Sequence, residues 1–222
     1  MKNLFKLLFA VLVTGVVFTS CMKDNDDYGK QEEELKKQEQ AIDELLTAQK
    51  IKIEEFINKG EFFTNPQEDT LKMVYSFIDK KDTKRGIWYE YLNEPTESDY
   101  EYKVSFNGMN YQLVYPTVKV KYHAYLLDGT LVQSDEEGTT YNFNSAGAKI
   151  INNSWVYAFF PYSIKYDGKD LIINGLTKKG LQKGSKFRMV TPSVFAFGAN
   201  TNDKIPANSP LAYEFEVLEI QN

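Results

Sequence analysis

Aromatic side chains close to Pro192 are the residues of this sequence with the clearest chemical use. Phe195 and Phe197 lie in a short turn that follows an alternating stretch beginning at Lys186. A proline-containing loop then leads to a second alternating stretch, which ends at Ile220. Two strands joined across an aromatic turn can form one wall of an apolar pocket, because rings offer a large apolar surface. We therefore expect a binding site for an apolar group at this turn.

The composition argues against chemistry that needs a metal ion or a nucleophile. His123 is the only histidine and Cys21 the only cysteine, so neither residue type can supply a cluster of metal ligands. Gly175 and Gly180 have the spacing of a phosphate-binding loop, but the lysine and the serine or threonine that should follow are missing. We expect no cofactor. The net charge of −5 gives no electrostatic basis for binding nucleic acid.

The N-terminus has the features of a secretory signal peptide over residues 1–20. Lys2 and Lys6 flank the start of an apolar stretch that runs to Phe18, and Cys21 comes shortly after it. A lone cysteine cannot form an internal disulfide, and the sequence around it resembles the cleavage site of bacterial lipoproteins. The resemblance implies that Cys21 is lipidated, that residues 21–29 form a tether, and that the lipid holds the protein at a membrane.

An acidic segment, Lys23–Asp27, follows this cysteine. It resembles the export signal of Bacteroidetes lipoproteins, which implies an outer-membrane lipoprotein in the cell envelope of a Gram-negative bacterium, exposed at the cell surface. The alternative is a solvated acidic tether on a protein that faces the periplasm.

Residues 30–60 have the pattern of one long helix. No glycine or proline interrupts the segment before Gly60, and its apolar residues recur three, four or seven positions apart. They are denser from Ile42 onwards. The helix could be a spacer, could pair with a second copy in a homodimer, or could cap the domain with its second half.

The rest of the chain has mainly strand patterns. Residues 61–115 are rich in short alternating stretches, and Val118–Leu126 alternates cleanly before Asp128-Gly129, a dipeptide typical of tight hairpins. We expect the aromatic stretch over residues 147–170 to fold over the core or to cover a pocket as a flap. Thr177–Gln182 is predicted to form one or two helical turns.

Five segments in this order resemble the FKBP-type peptidyl-prolyl cis-trans isomerases. They are Val120–Thr130, Leu171–Gly175, Gly184–Arg188, Pro192–Gly198 and Ile205–Leu211. The resemblance implies an α+β fold in residues 116–222, with a curved antiparallel β-sheet wrapped on a short helix, preceded here by the long N-terminal helix. It makes residues 147–170 an insertion in that domain.

The resemblance also implies a set of substrate-binding residues. Tyr122 would form the pocket floor and Leu176 its base, while the Ile173 N–H would donate to a substrate carbonyl. The other residues of the set would line the walls and the rim: Val132, Tyr141, Phe143, Ile172, Phe195, Phe197 and Tyr213.

Four positions depart from the pattern of the family. Val132 stands where an aromatic residue is usual, Gln133 where aspartate is usual, Leu176 where tryptophan is usual and Phe197 where tyrosine is usual. Trp155, in the insertion, could fill the space that Leu176 leaves. These departures favour an FKBP-like lipoprotein that binds peptides or exported protein segments in an apolar groove, with weak or lost isomerase activity. The alternatives are an active isomerase or chaperone for exported proteins, and a structural surface lipoprotein without a ligand.

Overall fold

A computed structural model describes residues 26–74, 82–97, 100–143, 150–201 and 204–222. The predicted signal peptide and Cys21 lie outside these residues, as does the beginning of the 147–170 stretch. The helices are α1 (Asp26–Asn58) and α2 (Asn153–Phe159), and Ser193–Phe195 forms a 3₁₀ turn. The strands are β1 (Gln67–Glu68), β2 (Lys72–Val74), β3 (Asp82–Lys84), β4 (Trp88–Asn93), β5 (Lys103–Phe106), β6 (Tyr111–Val114), β7 (Thr117–Tyr125), β8 (Leu131–Asn142), β9 (Ser163–Tyr166), β10 (Lys169–Ile172), β11 (Lys186–Thr191) and β12 (Leu211–Gln221).

The centre of the fold is an antiparallel sheet with the order β1-β4-β11-β12-β7-β8. Val118, Val120, Tyr122 and Ala124 are buried on β7 while the residues between them are only partly buried, as the alternation predicts. The α+β class is confirmed. The predicted hairpin is confirmed as well, since Leu126 and Thr130 are hydrogen-bonded across Asp128-Gly129 and β7 pairs with β8.

Helix α1 covers the segment predicted to be helical except for its last two residues, and it begins four residues earlier, at Asp26. Its second half caps the sheet, where Ile53 and Phe56 join a buried cluster with Val190 of β11 and Ala212 of β12. Its first half is largely exposed, with Leu35 45% exposed. The homodimer through this helix stays a prediction. In the described part of the chain, no helix is both long enough and apolar enough to span a membrane.

The short helix of the domain lies at a different position from the one predicted. Thr177–Gln182 has no helical turn, and α2 lies instead in the 147–170 stretch, which we expected to fold over the core or to cover a pocket as a flap. Asn152 begins α2, because its side-chain oxygen accepts a hydrogen bond from the Ser154 N–H (3.0 Å). The three-and-four spacing of Trp155, Ala158 and Phe159 then buries one face of the helix.

Strands β9 and β10 form a hairpin between α2 and the 174–185 loop. Asp167 and Gly168, at its two-residue turn, both have positive φ values (49° and 72°), which suits an Asp-Gly dipeptide. The loop then approaches the end of α2 closely, since a Cβ atom on Gly175 would lie 1.8 Å from the Phe160 carbonyl oxygen. That close approach requires glycine.

Candidate functional site

A cluster of aromatic rings surrounds the fully buried indole of Trp155. The indole meets the rings of Phe215 and Tyr122 edge-on, at centroid distances of 4.9 and 5.0 Å. Tyr141 lies at 5.7 Å and Phe143 at 6.3 Å. We call these five residues the Trp155 cluster. Such edge-to-face contacts favour a rigid apolar floor.

The register of three strands explains why these rings meet. Tyr122 on β7 pairs with Phe215 on β12 and with Asp135 on β8. Helix α2 lies across the same face of the sheet and inserts Trp155 between the rings. The sequence predicted Tyr122, Tyr141 and Phe143 as site residues, and the structure brings them together. It missed Phe215, although the alternation of β12 places Phe215 on the same face as the predicted Tyr213.

Further predicted wall residues belong to the same core. Val132, Phe195 and Tyr213 are buried in it, and Phe197 packs against it while half-buried. The Tyr213 ring stacks on Phe215 at 5.6 Å, and its hydroxyl accepts a hydrogen bond from Asn152 Nδ2 (3.0 Å). Burial raises the pKa of this hydroxyl well above its usual range. Tyr213 therefore stays neutral and ties the start of α2 to the sheet.

Three predicted residues lie elsewhere or are already bonded. Ile172 is 43% exposed on β10, so it does not form the rim of the Trp155 cluster. The Ile173 N–H donates to the Tyr162 carbonyl oxygen (2.8 Å), so the prediction that it binds a substrate carbonyl is wrong for this conformation. Leu176 is buried in the same core, but its N–H donates to the Tyr157 carbonyl oxygen (2.8 Å), and Trp155 is the residue enclosed by the aromatic rings.

A different isoleucine pair lies beside the cluster. Ile150 and Ile151 precede α2, are partly buried and pack against the core. Within the described ranges, neither backbone N–H has a hydrogen-bond acceptor. Trp155 Nε1 and Gln133 Oε1 are also buried without a hydrogen-bond partner among those residues. Since buried polar atoms are usually paired, Trp155 Nε1 and Gln133 Oε1 are candidates for contacts with a bound ligand, and the N–H groups of Ile150 and Ile151 are available donors next to the core.

Asp135 supplies a carboxylate next to the cluster that the sequence did not indicate. Its Oδ2 accepts hydrogen bonds from the Tyr141 hydroxyl (2.6 Å) and the Thr139 N–H (2.8 Å), while Oδ1 accepts from the Gly138 N–H (2.8 Å). Partial burial raises the pKa of Asp135, but the hydrogen bonds from Thr139, Tyr141 and Gly138 outweigh it and hold this pKa far below its usual range. Burial, together with the Asp135 charge, raises the pKa of Tyr122 to about 12.

We expect the Asp135 carboxylate to make stability depend on pH in the acid range. Its pKa is lower in the folded than in the unfolded protein, so its contribution is present above the unfolded value of about 3.9 and is lost as pH falls towards the folded value. The difference in free energy of unfolding between wild type and Asp135→Asn should therefore be larger at pH 7 than at pH 3. Urea unfolding at both pH values measures it. Equal differences would show that the carboxylate charge contributes nothing.

The part of the chain that contains the Trp155 cluster is similar to a known family. Residues 114–218 match the family of FKBP-type peptidyl-prolyl cis-trans isomerases. These residues resemble an FKBP-type domain. The chain is also similar to the FKBP-type peptidyl-prolyl cis-trans isomerase FkpA of Buchnera aphidicola subsp. Schizaphis graminum, with 39% identity over 57 residues. That match spans 24% of this chain and only 22% of the relative.

Two solved structures are similar to this chain at low identity. FkpA from Escherichia coli has a TM-score of 0.47 and 17% identity, and the match covers 98% of this chain and 78% of that one. A peptidyl-prolyl cis-trans isomerase from Pseudomonas syringae pv. tomato has a TM-score of 0.44 and 19% identity, covering 81% of this chain and 96% of that one. The matched residues 114–218 contain the whole Trp155 cluster, whereas α1 and β1–β5 precede them.

Proposed function

We propose that the FKBP-type domain binds Xaa-Pro segments of polypeptides at the Trp155 cluster and catalyses their cis-trans isomerisation. The observation that carries this proposal is the position of Trp155, enclosed by Tyr122, Tyr141 and Phe215. The leucine at position 176 had suggested that the site lacks a tryptophan. Helix α2 supplies one, so this departure no longer argues for lost activity.

Isomerisation needs no nucleophile, metal or proton transfer. Rotation about the imide bond has a barrier of about 18–20 kcal/mol, because resonance gives that bond partial double-bond character. An apolar pocket that holds the twisted imide away from water lowers the barrier, since the twisted form is less polar than the planar one. In this proposal the proline ring lies over the aromatic cluster. Val132 and Phe197 enclose it, and the N–H groups of Ile150 and Ile151 donate to peptide carbonyls.

Two side chains support a second candidate, peptide binding with little catalysis. The resemblance to the FKBP-type family implies an aspartate carboxylate where Gln133 stands and a tyrosine hydroxyl where Phe197 stands. This chain has neither group at those positions. Each missing hydrogen bond would cost about 1 kcal/mol, so that the two together reduce activity by roughly one to two orders of magnitude. Asp135 lies two residues from Gln133, and its carboxylate would compensate in part for the carboxylate that Gln133 lacks.

The experiment that tests both candidates follows isomerisation of a short Xaa-Pro peptide with the purified protein, together with binding of the same peptide by calorimetry. We expect saturable binding and a rate above the uncatalysed one. Binding without acceleration at high protein concentration would favour the second candidate. Neither binding nor acceleration would reject both.

We further propose that the protein is an outer-membrane lipoprotein that acts on exported polypeptides, with its lipid on Cys21. The support is the apolar stretch before this cysteine and the exposed first half of α1, which would hold the domain away from the membrane. A single acyl chain binds membranes only marginally, so more than one is expected at Cys21.

Replacing Cys21 by serine should release the protein from the membrane fraction and abolish labelling with a radioactive fatty acid. The matched control is Ser20→Ala, which leaves the acyl acceptor in place and should keep both the label and the membrane association. Retention of the Cys21→Ser variant in the membrane fraction would contradict the lipid anchor.

A further inference from the structure

One polar side chain connects α1 to the aromatic turn of the FKBP-type domain. Gln49 is 2% exposed and lies on the buried side of α1 between Leu46 and Ile53. Its Nε2 donates to Ser193 Oγ (2.7 Å) and to the Asn208 carbonyl oxygen (2.9 Å). Its Oε1 accepts a hydrogen bond from the Ser193 N–H (2.8 Å). One carboxamide thus holds two loop segments that are distant from it in the sequence.

Ser193 begins the turn that carries Phe195 and Phe197. Its carbonyl oxygen accepts hydrogen bonds from the N–H groups of Ala196 (2.9 Å) and Gly198 (2.8 Å), so the position of Ser193 fixes the turn. The Asn208 N–H donates to the Gly198 carbonyl oxygen (2.7 Å), which joins the two loop segments. Gln49 therefore closes a hydrogen-bonded ring that includes the base of the turn and the loop after it.

The opposite side of the turn is bonded to α2. Ser154 Oγ donates to the Phe195 carbonyl oxygen (2.9 Å), and the Phe195 ring meets the Tyr157 ring edge-on at 5.4 Å. The turn consequently lies between the two helices, with α1 holding it on one side and α2 on the other. The Phe197 ring, which packs against the hydrophobic core that contains Trp155, follows directly from this turn.

We propose that Gln49 is a positioning residue for peptide binding: it holds the Ser193–Phe195 turn so that Phe197 encloses the site. This inference rests on the proposed function. It assigns to α1 a role in the affinity of a site that lies entirely in another part of the chain. Without the carboxamide the turn samples more conformations, and only a fraction of them places Phe197 against the cluster.

The test separates this role from a general loss of stability. When only a fraction of molecules is competent to bind, the apparent dissociation constant rises by the inverse of that fraction. For Gln49→Ala we expect KM for the Xaa-Pro peptide to rise about ten-fold, with kcat changed less than about two-fold. A variant that only lowers global stability reduces the amount of folded protein, which lowers apparent kcat and leaves KM unchanged.

Two variants of the same helix serve as controls in the full-length protein. Leu46→Ala removes a buried apolar side chain one turn away and no hydrogen bond of the turn, so it should lower stability and leave KM unchanged. Gln40→Ala removes an exposed amide whose Nε2 donates to Glu44 Oε1 (2.9 Å), and it should change neither stability nor KM. An equal KM for Gln49→Ala and Leu46→Ala would overturn the proposal.

Hydrogen exchange provides a second measurement that does not depend on catalysis. The amide protons of Ala196, Gly198 and Asn208 should exchange about ten-fold or more faster in Gln49→Ala than in wild type, whereas those in the middle of β7 should not. If wild type neither binds nor isomerises the peptide but these rates change, the proposed function fails and the positioning of the turn stands. Unchanged exchange at these three amides would overturn the role of Gln49.

Discussion

Replacing Trp155 with alanine is expected to cost about 3–5 kcal/mol of free energy of unfolding and to abolish peptide binding. The indole is fully buried and meets the rings of Tyr122, Tyr141, Phe143 and Phe215, so its removal leaves a cavity among them. This loss is a large part of the total stability of a domain, which is about 5–15 kcal/mol. Urea unfolding measures it.

Because that variant can unfold, Trp155→Phe is the informative change for function. Phenylalanine keeps most of the apolar contacts but shortens the floor under the proline ring and removes Nε1. We expect a folded protein whose kcat/KM falls by roughly one order of magnitude, because the smaller ring loses part of the aromatic contact.

Leu176→Ala is the matched control, since Leu176 is buried in the same core and stands where the resemblance placed the tryptophan. It should cost about 2–5 kcal/mol of stability and leave the KM of the folded protein unchanged. The opposite outcome, normal binding in Trp155→Phe and lost binding in Leu176→Ala, would mean that the site is not built on Trp155.

The secondary structure could be predicted from the sequence wherever one local pattern determines it. Residues with strict periodicity were predicted well, such as the buried positions of β7 and the second half of α1, because period and burial are directly linked. The Asp128-Gly129 hairpin was predicted for the same local reason, since only a few dipeptides accept its backbone angles.

The position of the short helix was missed because two similar segments compete for it. Ile150-Ile151-Asn152 and Ile172-Ile173-Asn174 are identical tripeptides, and the glycine after the second favoured that one. Two local signals favoured the first: Asn152 as an N-terminal cap, and the spacing of Trp155, Ala158 and Phe159. The Asp167-Gly168 turn would also have identified β9 and β10 as a hairpin.

Long-range polar contacts could not be predicted from any local pattern. Gln49 and Ser193 are 144 positions apart, and the charged run of α1 gives no reason to single out one glutamine. Asp135 is similar, because a shift in the β7–β8 register between Val120 and Tyr122 brings its carboxylate within reach of the Tyr141 hydroxyl. Such contacts depend on how whole helices and strands pack against one another. This packing leaves no periodic pattern in a single sequence.

A buried ion pair gives the second large expected effect. Arg85 Nε donates to Asp69 Oδ2 (2.5 Å), and both side chains are about 95% buried. Arg85 Nη1 donates to the Asn174 carbonyl oxygen (2.9 Å), and the guanidinium lies 4.3 Å from the centre of the Tyr157 ring. The pair thus joins the segment before β4 to α2 and to the loop after β10, in which Asn174 has a φ of +66°.

Asp69→Ala should lower the free energy of unfolding by about 3–5 kcal/mol, because it leaves the Arg85 charge buried without a counter-ion. The single variant Arg85→Met should cost less than Asp69→Ala, since the Asp69 carboxylate would still accept the Leu71 N–H (3.0 Å). The double variant Asp69→Leu with Arg85→Met should regain much of the loss, since an apolar pair of similar volume carries no desolvation cost.

Urea unfolding of these variants and of Asp69→Leu alone, analysed as a double-mutant cycle, gives the coupling energy between the two side chains. Additive effects would show that the pair contributes no coupling energy, and the link between α2 and the preceding strands would then rest on apolar packing.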